Sequence, residues 1–570
     1  MPQEQVFSIR THPKIGPIRG INRVPAVTQY LGVQYATLSD RFARGKLLEV
    51  YPAGHHGFQD GVLDATKIGP LPLSPIQGCK WEHGLIQHSL PVPAFEQSDT
   101  ECLTLNIAVP DLSDSNTDNV VSAGHQWPVL ALVHGGAFAT GSSSYPQYDL
   151  GRIVQMSVEA DQPIIAVGIN YRLGVPGFLH SSAMASAGYK PNNGLHDQRL
   201  GLLWIQHHIA GFRGDPQRVT FIGESSGAAS GCFHLHSTDA LFSQLISMSG
   251  TSLVKAKQPE VAERSFKTAM QLLSSSEPGT IPSNETQVRR LLTAPMDEIR
   301  DKIGRKVPLG PLVDGDLIPR ATTYAMMADD AGAAKLFPGM QWCRRIMIGD
   351  CQMDGNAYAP RLASRSDILS KTLAVHLAAA LDPVDPSLTQ AIIFGYNLPT
   401  AATANTFEST KPVLDLATDI CWSLGARSFA RSWSSSTITN EKKAFLYRFN
   451  VPNPWDGAWK GHATHILDIA FVLQNYREYL APGQQKAGDL FGRHVIAFVN
   501  DDVPWPAYGE GGRPGAQVYF APEEGEDDAS CYVEDESPGR TGRRGLLQGV
   551  QPEVLDRVMG AWEMCMKGPK

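Results

Sequence analysis

Phe221-Ile-Gly-Glu-Ser-Ser-Gly-Ala-Ala-Ser230 decides how this chain is read. It continues the apolar, strand-length run Arg218-Val-Thr-Phe-Ile-Gly223 and leads into small residues that suit a closely packed helix. Within it, Gly223-Glu224-Ser225-Ser226-Gly227 fits G-x-S-x-G. A sharp strand-to-helix turn holds such a serine in a strained backbone conformation, and side chains two residues either side would collide. The turn also sets the hydroxyl at a helix N-terminus, where backbone N–H groups favour developing negative charge. The frame selects Ser225 over Ser226. Taken alone, the pentapeptide describes a small-residue turn as well as a nucleophile. The strand before it and the helix after it favour the nucleophile.

Upstream, Leu132-Val-His-Gly-Gly-Ala-Phe138 ends another apolar run, Pro128-Val-Leu-Ala-Leu-Val133. A His-Gly-Gly turn there is what an α/β-hydrolase oxyanion hole uses, because glycine lets backbone N–H groups turn inward. Further runs of this kind are Pro163–Gly168, Arg345–Ile348 and Ala444–Tyr447. Unbroken apolar strands suit a sheet buried on both faces. Between them, Leu195–Phe212 carries one stripe of Leu202, Ile205 and Ile209 and another of Leu200, Leu203 and Trp204 at helical spacing. The alternation predicts an α/β fold: a large, mostly parallel central sheet with helices on both faces. The first 110 residues read as turns and short strands such as Ala26–Leu31.

The 570 residues are 42% hydrophobic and 19% charged, an ordinary globular composition that can bury a large core. A net charge of -8 argues against nucleic acid as a partner. No run has the roughly 18 to 20 apolar residues of a membrane helix. Met1-Pro-Gln-Glu-Gln-Val-Phe-Ser-Ile-Arg10 lacks a basic start followed by an apolar stretch, so a cytoplasmic protein is expected; a mature secreted form would read the same. None of the eight cysteines forms a CxxC pair, and no metal is expected. One domain over 1–570 is expected, since no linker divides the chain, with 523–545 as a charged surface loop.

The chain resembles the type B carboxylesterase/lipase family, which includes the cholinesterases. The likeness runs from about Val27 to Phe520. It is carried by Leu31-Gly-Val-Gln-Tyr-Ala36, Arg41-Phe42, Asp64-Ala-Thr-Lys-Ile-Gly-Pro70 and Glu101-Cys-Leu-Thr-Leu-Asn106, and by Asn193-Gly-Leu-His-Asp-Gln198 and Phe212-Arg-Gly-Asp-Pro216 before the elbow. The resemblance implies an α/β-hydrolase fold with long loop insertions over the active site. Its acid segment corresponds to Gly349-Asp-Cys-Gln-Met-Asp-Gly355, with Asp354 at the acid position in place of the usual Glu and Asp350 as rival. Its histidine segment corresponds to His465-Ile-Leu-Asp-Ile-Ala-Phe-Val-Leu473, with His462 as the nearby competitor. The order Ser225, Asp354, His465 is the one this fold requires.

The resemblance further implies oxyanion donors at the N–H groups of Gly136, Ala137 and Ser226. Glu224 matches a family acid that shapes the field near the base, against a reading as a merely buried, hydrogen-bonded carboxylate. Cys79 and Cys102 resemble a disulfide pair of secreted relatives, although Cys79 lies beyond its expected place. Trp455 and Trp459 are candidates for the pocket wall, with core packing as the competing role. The expected activity is carboxylic ester hydrolysis of a small-molecule substrate, with no cofactor. An acyltransferase or specialised-metabolite tailoring enzyme would use the same triad with another acceptor. A non-catalytic binding protein of this family would generally lack an intact triad.

Overall fold

The computed structural model describes residues 6–52, 55, 57–111, 126–273, 283–398, 407–435, 442–534 and 543–568. Among the described residues, fourteen strands form the main sheet: β1 (Val6–His12), β2 (Gly16–Val24), β3 (Val27–Gln34), β4 (Phe58–Gln59), β5 (Val62–Asp64), β6 (Thr104–Pro110), β7 (Trp127–Val133), β8 (Ile165–Ile169), β9 (Gly214–Glu224), β10 (Gln244–Met248), β11 (Arg345–Cys351), β12 (Lys443–Phe449), β13 (Gly515–Tyr519) and β14 (Ser530–Glu534). The spatial order is β14-β13-β12-β11-β10-β9-β7-β8-β6-β3-β2-β5-β4, with β1 on β2. From β8 through β13 every pairing is parallel, and β6 and β14 flank that block antiparallel.

Alternate side chains of the central strands enter two separate cores. Val129, Ala131 and Val133 of β7 join one with Trp204, Phe233 and Trp433. Leu130 and Leu132 join the other with Ile153, Phe491 and Val495. Both faces are apolar, which is why these strands read as unbroken runs rather than alternating ones.

The helices that frame the site are α1 (Gly78–Ile86), α2 (Gly151–Glu159), α3 (Asn193–His208), α4 (Ser226–His234), α5 (Phe407–Thr418), α6 (Leu467–Val472), α7 (Pro482–Val499), α8 (Arg543–Gln548) and α9 (Pro552–Lys567). α3 buries Leu200, Leu202, Trp204 and Ile205 of the two predicted stripes, and a 3-10 turn, Ile209–Phe212, continues it. α1 interrupts the stretch read as turns and strands. Its N-cap Gln77 makes no side-chain cap bond, so no local start signal marked it.

Two expectations need correcting. Cys79 and Cys102 are unbonded. Cys79 points from α1 toward Gln147 (3.8 Å) and His83 (3.9 Å), while Cys102 is buried in the other core, across the sheet. The 523–545 stretch is not a continuous charged loop. Ser530–Glu534 pairs along β13, and Arg543 and Arg544 open α8 with their charges tied to Asp415, Asp419 and Asp350. Residues 535–542 of that stretch lie outside the described residues. Among the described residues, no helix is long and apolar enough to cross a membrane.

Candidate active site

Parallel register assembles the site. β7 pairs with β9 so that Val133 lies opposite Gly223, which sets the His134-Gly135-Gly136 turn beside Ser225. β9 pairs with β10 and β10 with β11, bringing the loop after β11 to the same edge. This is the carboxyl end of the strands, where ligands of such sheets bind.

Ser225 has φ 55° and ψ -119° at the junction of β9 and α4. The strain is held by Ser225 N–H donating to the Met248 carbonyl (2.9 Å) and the Ser225 carbonyl accepting from Ala229 N–H (3.0 Å). The flanking glycines have no room for a side chain. A Cβ on Gly227 would stand 2.0 Å from the Val133 carbonyl oxygen, and one on Gly223 2.3 Å from the Gly227 carbonyl carbon. Gly227→Ala must therefore push α4 off the central strand. We expect it to cost about 1–3 kcal/mol or more, seen as a lower melting temperature, and to lower esterase activity with it.

His465 Nε2 lies 2.8 Å from Ser225 Oγ, and Nδ1 lies 2.7 Å from Asp354 Oδ1. The Cys351 N–H donates to Asp354 Oδ2 (2.8 Å), which fixes the carboxylate. The His465 N–H donates to Asn356 Oδ1 (2.9 Å), and Met353 and Thr464 form a bridge that joins the two loops. Asp354 is fully buried and His465 nearly so. The competitors lie elsewhere. Asp350 pairs with Arg544 at 2.7 Å, and the half-buried His462 belongs to the turn that closes on Trp459.

Gly136, Ala137 and Phe138 all have positive φ, in the turn that follows β7. The Phe138 N–H donates to Ser226 Oγ (3.3 Å), which ties this turn to the start of α4. His134 stacks on Tyr171 (4.6 Å), and burial holds its imidazole down at about 4, hence neutral.

Glu224 Oε1 stands 3.2 Å from His465 Nε2. Burial pushes the Glu224 carboxyl well up, with the His465 charge opposing. Burial also opposes charge on His465, but Glu224, Asp354 and Asp468 outweigh it and raise the imidazole to about 9. Asp468 accepts from Tyr447 OH (2.8 Å) and Ser249 Oγ (3.2 Å) behind the base. A base must be neutral to accept the serine proton, so activity should fall as pH drops through this raised value. Glu224→Gln removes one of the carboxylates that hold the imidazolium. The acid limb of kcat/KM is expected to move to lower pH; an unmoved limb would deny Glu224 that role.

Three contributors lay outside the sequence reading. The Trp422 ring lies 5.5 Å from that of His465, on a π-helical turn, Asp419–Ser423. Glu82 of α1, buried and accepting from Gln147 Nε2 (2.8 Å), is pushed up to about 7 chiefly by burial. Asp468 stood inside the histidine segment without a role. No local pattern marks the first two. Trp455 packs on His88 (5.0 Å) and Tyr476 (5.4 Å), and Trp459 packs against the core while its N–H donates to Gln87 (2.8 Å).

The carboxylesterase family model matches residues 4–519, and the chain belongs to that family. It is 35% identical over 270 residues to carboxylesterase patB of Aspergillus clavatus, covering 46% of this chain and 45% of that protein. It is 32% identical over 243 residues to the para-nitrobenzyl esterase of Bacillus subtilis, covering 42% and 44%. These matches span about half the length of the curated relatives. Among solved structures, a carboxylesterase of Geobacillus stearothermophilus superposes with a TM-score of 0.68 at 24% identity, covering 95% of this chain and all of that one. This likeness is one of fold: the chain has the α/β-hydrolase architecture.

Proposed function

We propose that the protein hydrolyses carboxylic esters of small molecules through an acyl-enzyme on Ser225. The observation that carries this reading is the unbroken chain of contacts from Ser225 Oγ through His465 to Asp354. Ser225 Oγ attacks the ester carbonyl as its proton passes to His465 Nε2, while Nδ1–H donates to Asp354 and the carboxylate stabilises the imidazolium. The N–H groups of Gly136, Ala137 and Ser226 hold the oxyanion; each such donor contributes on the order of 3 kcal/mol to the transition state. His465 then protonates the departing alcohol, leaving the acyl group on Ser225. Water attacks the acyl carbon with His465 again as base, and the serine is regenerated. The Ser225–His465–Asp354 geometry also counts against a binding protein without catalysis.

The same chemistry would serve an acyltransferase, so the test separates acceptors. The protein is incubated with an aryl acetate, with and without an added alcohol. Free acetate is expected as the main product in both. Ester product formed in preference to acid would replace hydrolysis by acyl transfer.

A further inference from the structure

The family match ends at 519, yet a side chain beyond it reaches the charge cluster behind the catalytic acid. Arg544 of α8 is largely enclosed, its side chain 13% exposed. Its Nη2 lies 2.7 Å from Asp350 Oδ2 and its Nε 3.2 Å from Asp419 Oδ1. Asp350 is on β11, the strand that leads into Asp354. Asp419 opens the π-helical turn that carries Trp422 to the His465 ring. Its neighbour Thr418 accepts the N–H of Gly355, next to the acid, at 2.9 Å. One guanidinium on α8 thus joins the strand that leads to the acid and the turn beside the base.

Charge explains why something must stand there. Asp350 and Asp419 are 2% and 1% exposed, and a buried carboxylate without a counter-charge is costly. Uncompensated, their negative charge would add to that of Asp354 behind the imidazole.

We infer that Arg544 is a positioning residue for the triad: it offsets the charge of Asp350 and, together with Arg543, that of Asp419, so that Asp354 sets the charge felt at the far side of His465. The inference rests on the ester-hydrolase reading. Burial pushes Asp350 up to about 6 even with Arg544 opposing. The groups facing His465 are Glu224 at the end of β9, Asp354 in the turn after β11 and Asp468 of α6, and Glu82 of α1 also interacts with its charge. Arg544 itself faces Asp350 and Asp419, while Arg448 of β12 and Arg427 of the helix Leu424–Ser435 line the same small cavity. Arg543 pairs with Asp415 (2.8 Å) and with the other oxygen of Asp419 (3.1 Å).

The test is a charge-compensation cycle read in the pH profile of kcat/KM for an aryl ester, using the full chain. Arg544→Met removes a positive charge, so the acid limb should move up by roughly half a pH unit. Asp350→Asn removes a negative charge and should move it down by a similar amount. The double variant should return near wild type, and Arg544→Lys should shift the limb less than Arg544→Met. Single variants that shift alike, or lose only melting temperature with an unmoved limb, would overturn the inference. Should Arg544→Met fail to fold, Asp350→Asn decides alone, and an unmoved limb overturns it. A wild-type protein without esterase activity would instead fail the functional reading, before any variant is compared.

Discussion

Ser225→Ala is expected to lower kcat for ester cleavage by about a million-fold while the melting temperature stays within a few degrees of wild type. The fold holds this residue by its backbone, through Met248 and Ala229, and alanine keeps both bonds. What is lost is the oxygen 2.8 Å from His465 Nε2, and with it the acyl-enzyme. Hydrolysis and fluorophosphonate labelling, measured on the same preparations, check this. Activity near wild type in the alanine variant would remove Ser225 from the mechanism. Labelling of wild type at another serine would do the same.

His465→Ala should be about as damaging as Ser225→Ala, since a nucleophile and its base act as one unit. His462→Ala should be much milder, because His465 and not His462 makes the contacts to Ser225 and Asp354. Asp354→Asn should leave the imidazole in the wrong tautomer and lower kcat by about 10,000-fold. In Asp350→Asn the contact between Asp354 and His465 survives, so a far smaller loss of kcat is expected, alongside the pH shift described above. Steady-state kinetics of the four variants rank them directly. The reverse order within either pair would reassign the base or the acid.

Much of this arrangement is written locally. The central strands send apolar residues into cores on both faces of the sheet, so composition over a few residues marks runs such as Pro128–Val133. Gly223 and Gly227 are required by contacts their Cβ atoms would violate, so the elbow is readable from the five residues together with the strand before them and the small-residue helix after. Gly136 in the turn after β7 is legible for the same reason, since its positive φ favours glycine and a Cβ there would stand 2.1 Å from the Thr140 carbonyl oxygen. Where the signal was long-range, the sequence was silent. α1 has no side-chain cap to announce it, and its Glu82 finds its partner, Gln147, 65 residues along the chain. Trp422 reaches His465 from a π-helical turn that has no residue pattern of its own.

The choice of acid divides the two sources of information most clearly. By itself the sequence determined an apolar α/β sheet and a strained serine at the end of one strand; resemblance to the family narrowed the acid and the base to two aspartates and two histidines. Resemblance to the family favoured Asp354 and His465, but both aspartates follow the same run of apolar residues and carry the same chemistry. Only the tertiary structure set Asp354 2.7 Å from the imidazole and gave Asp350 to Arg544. The physical reason is range. Backbone strain and strand burial depend on neighbours within a few residues. A buried charge is defined by whichever opposite charge the whole fold brings within about 3 Å, however far along the chain it began.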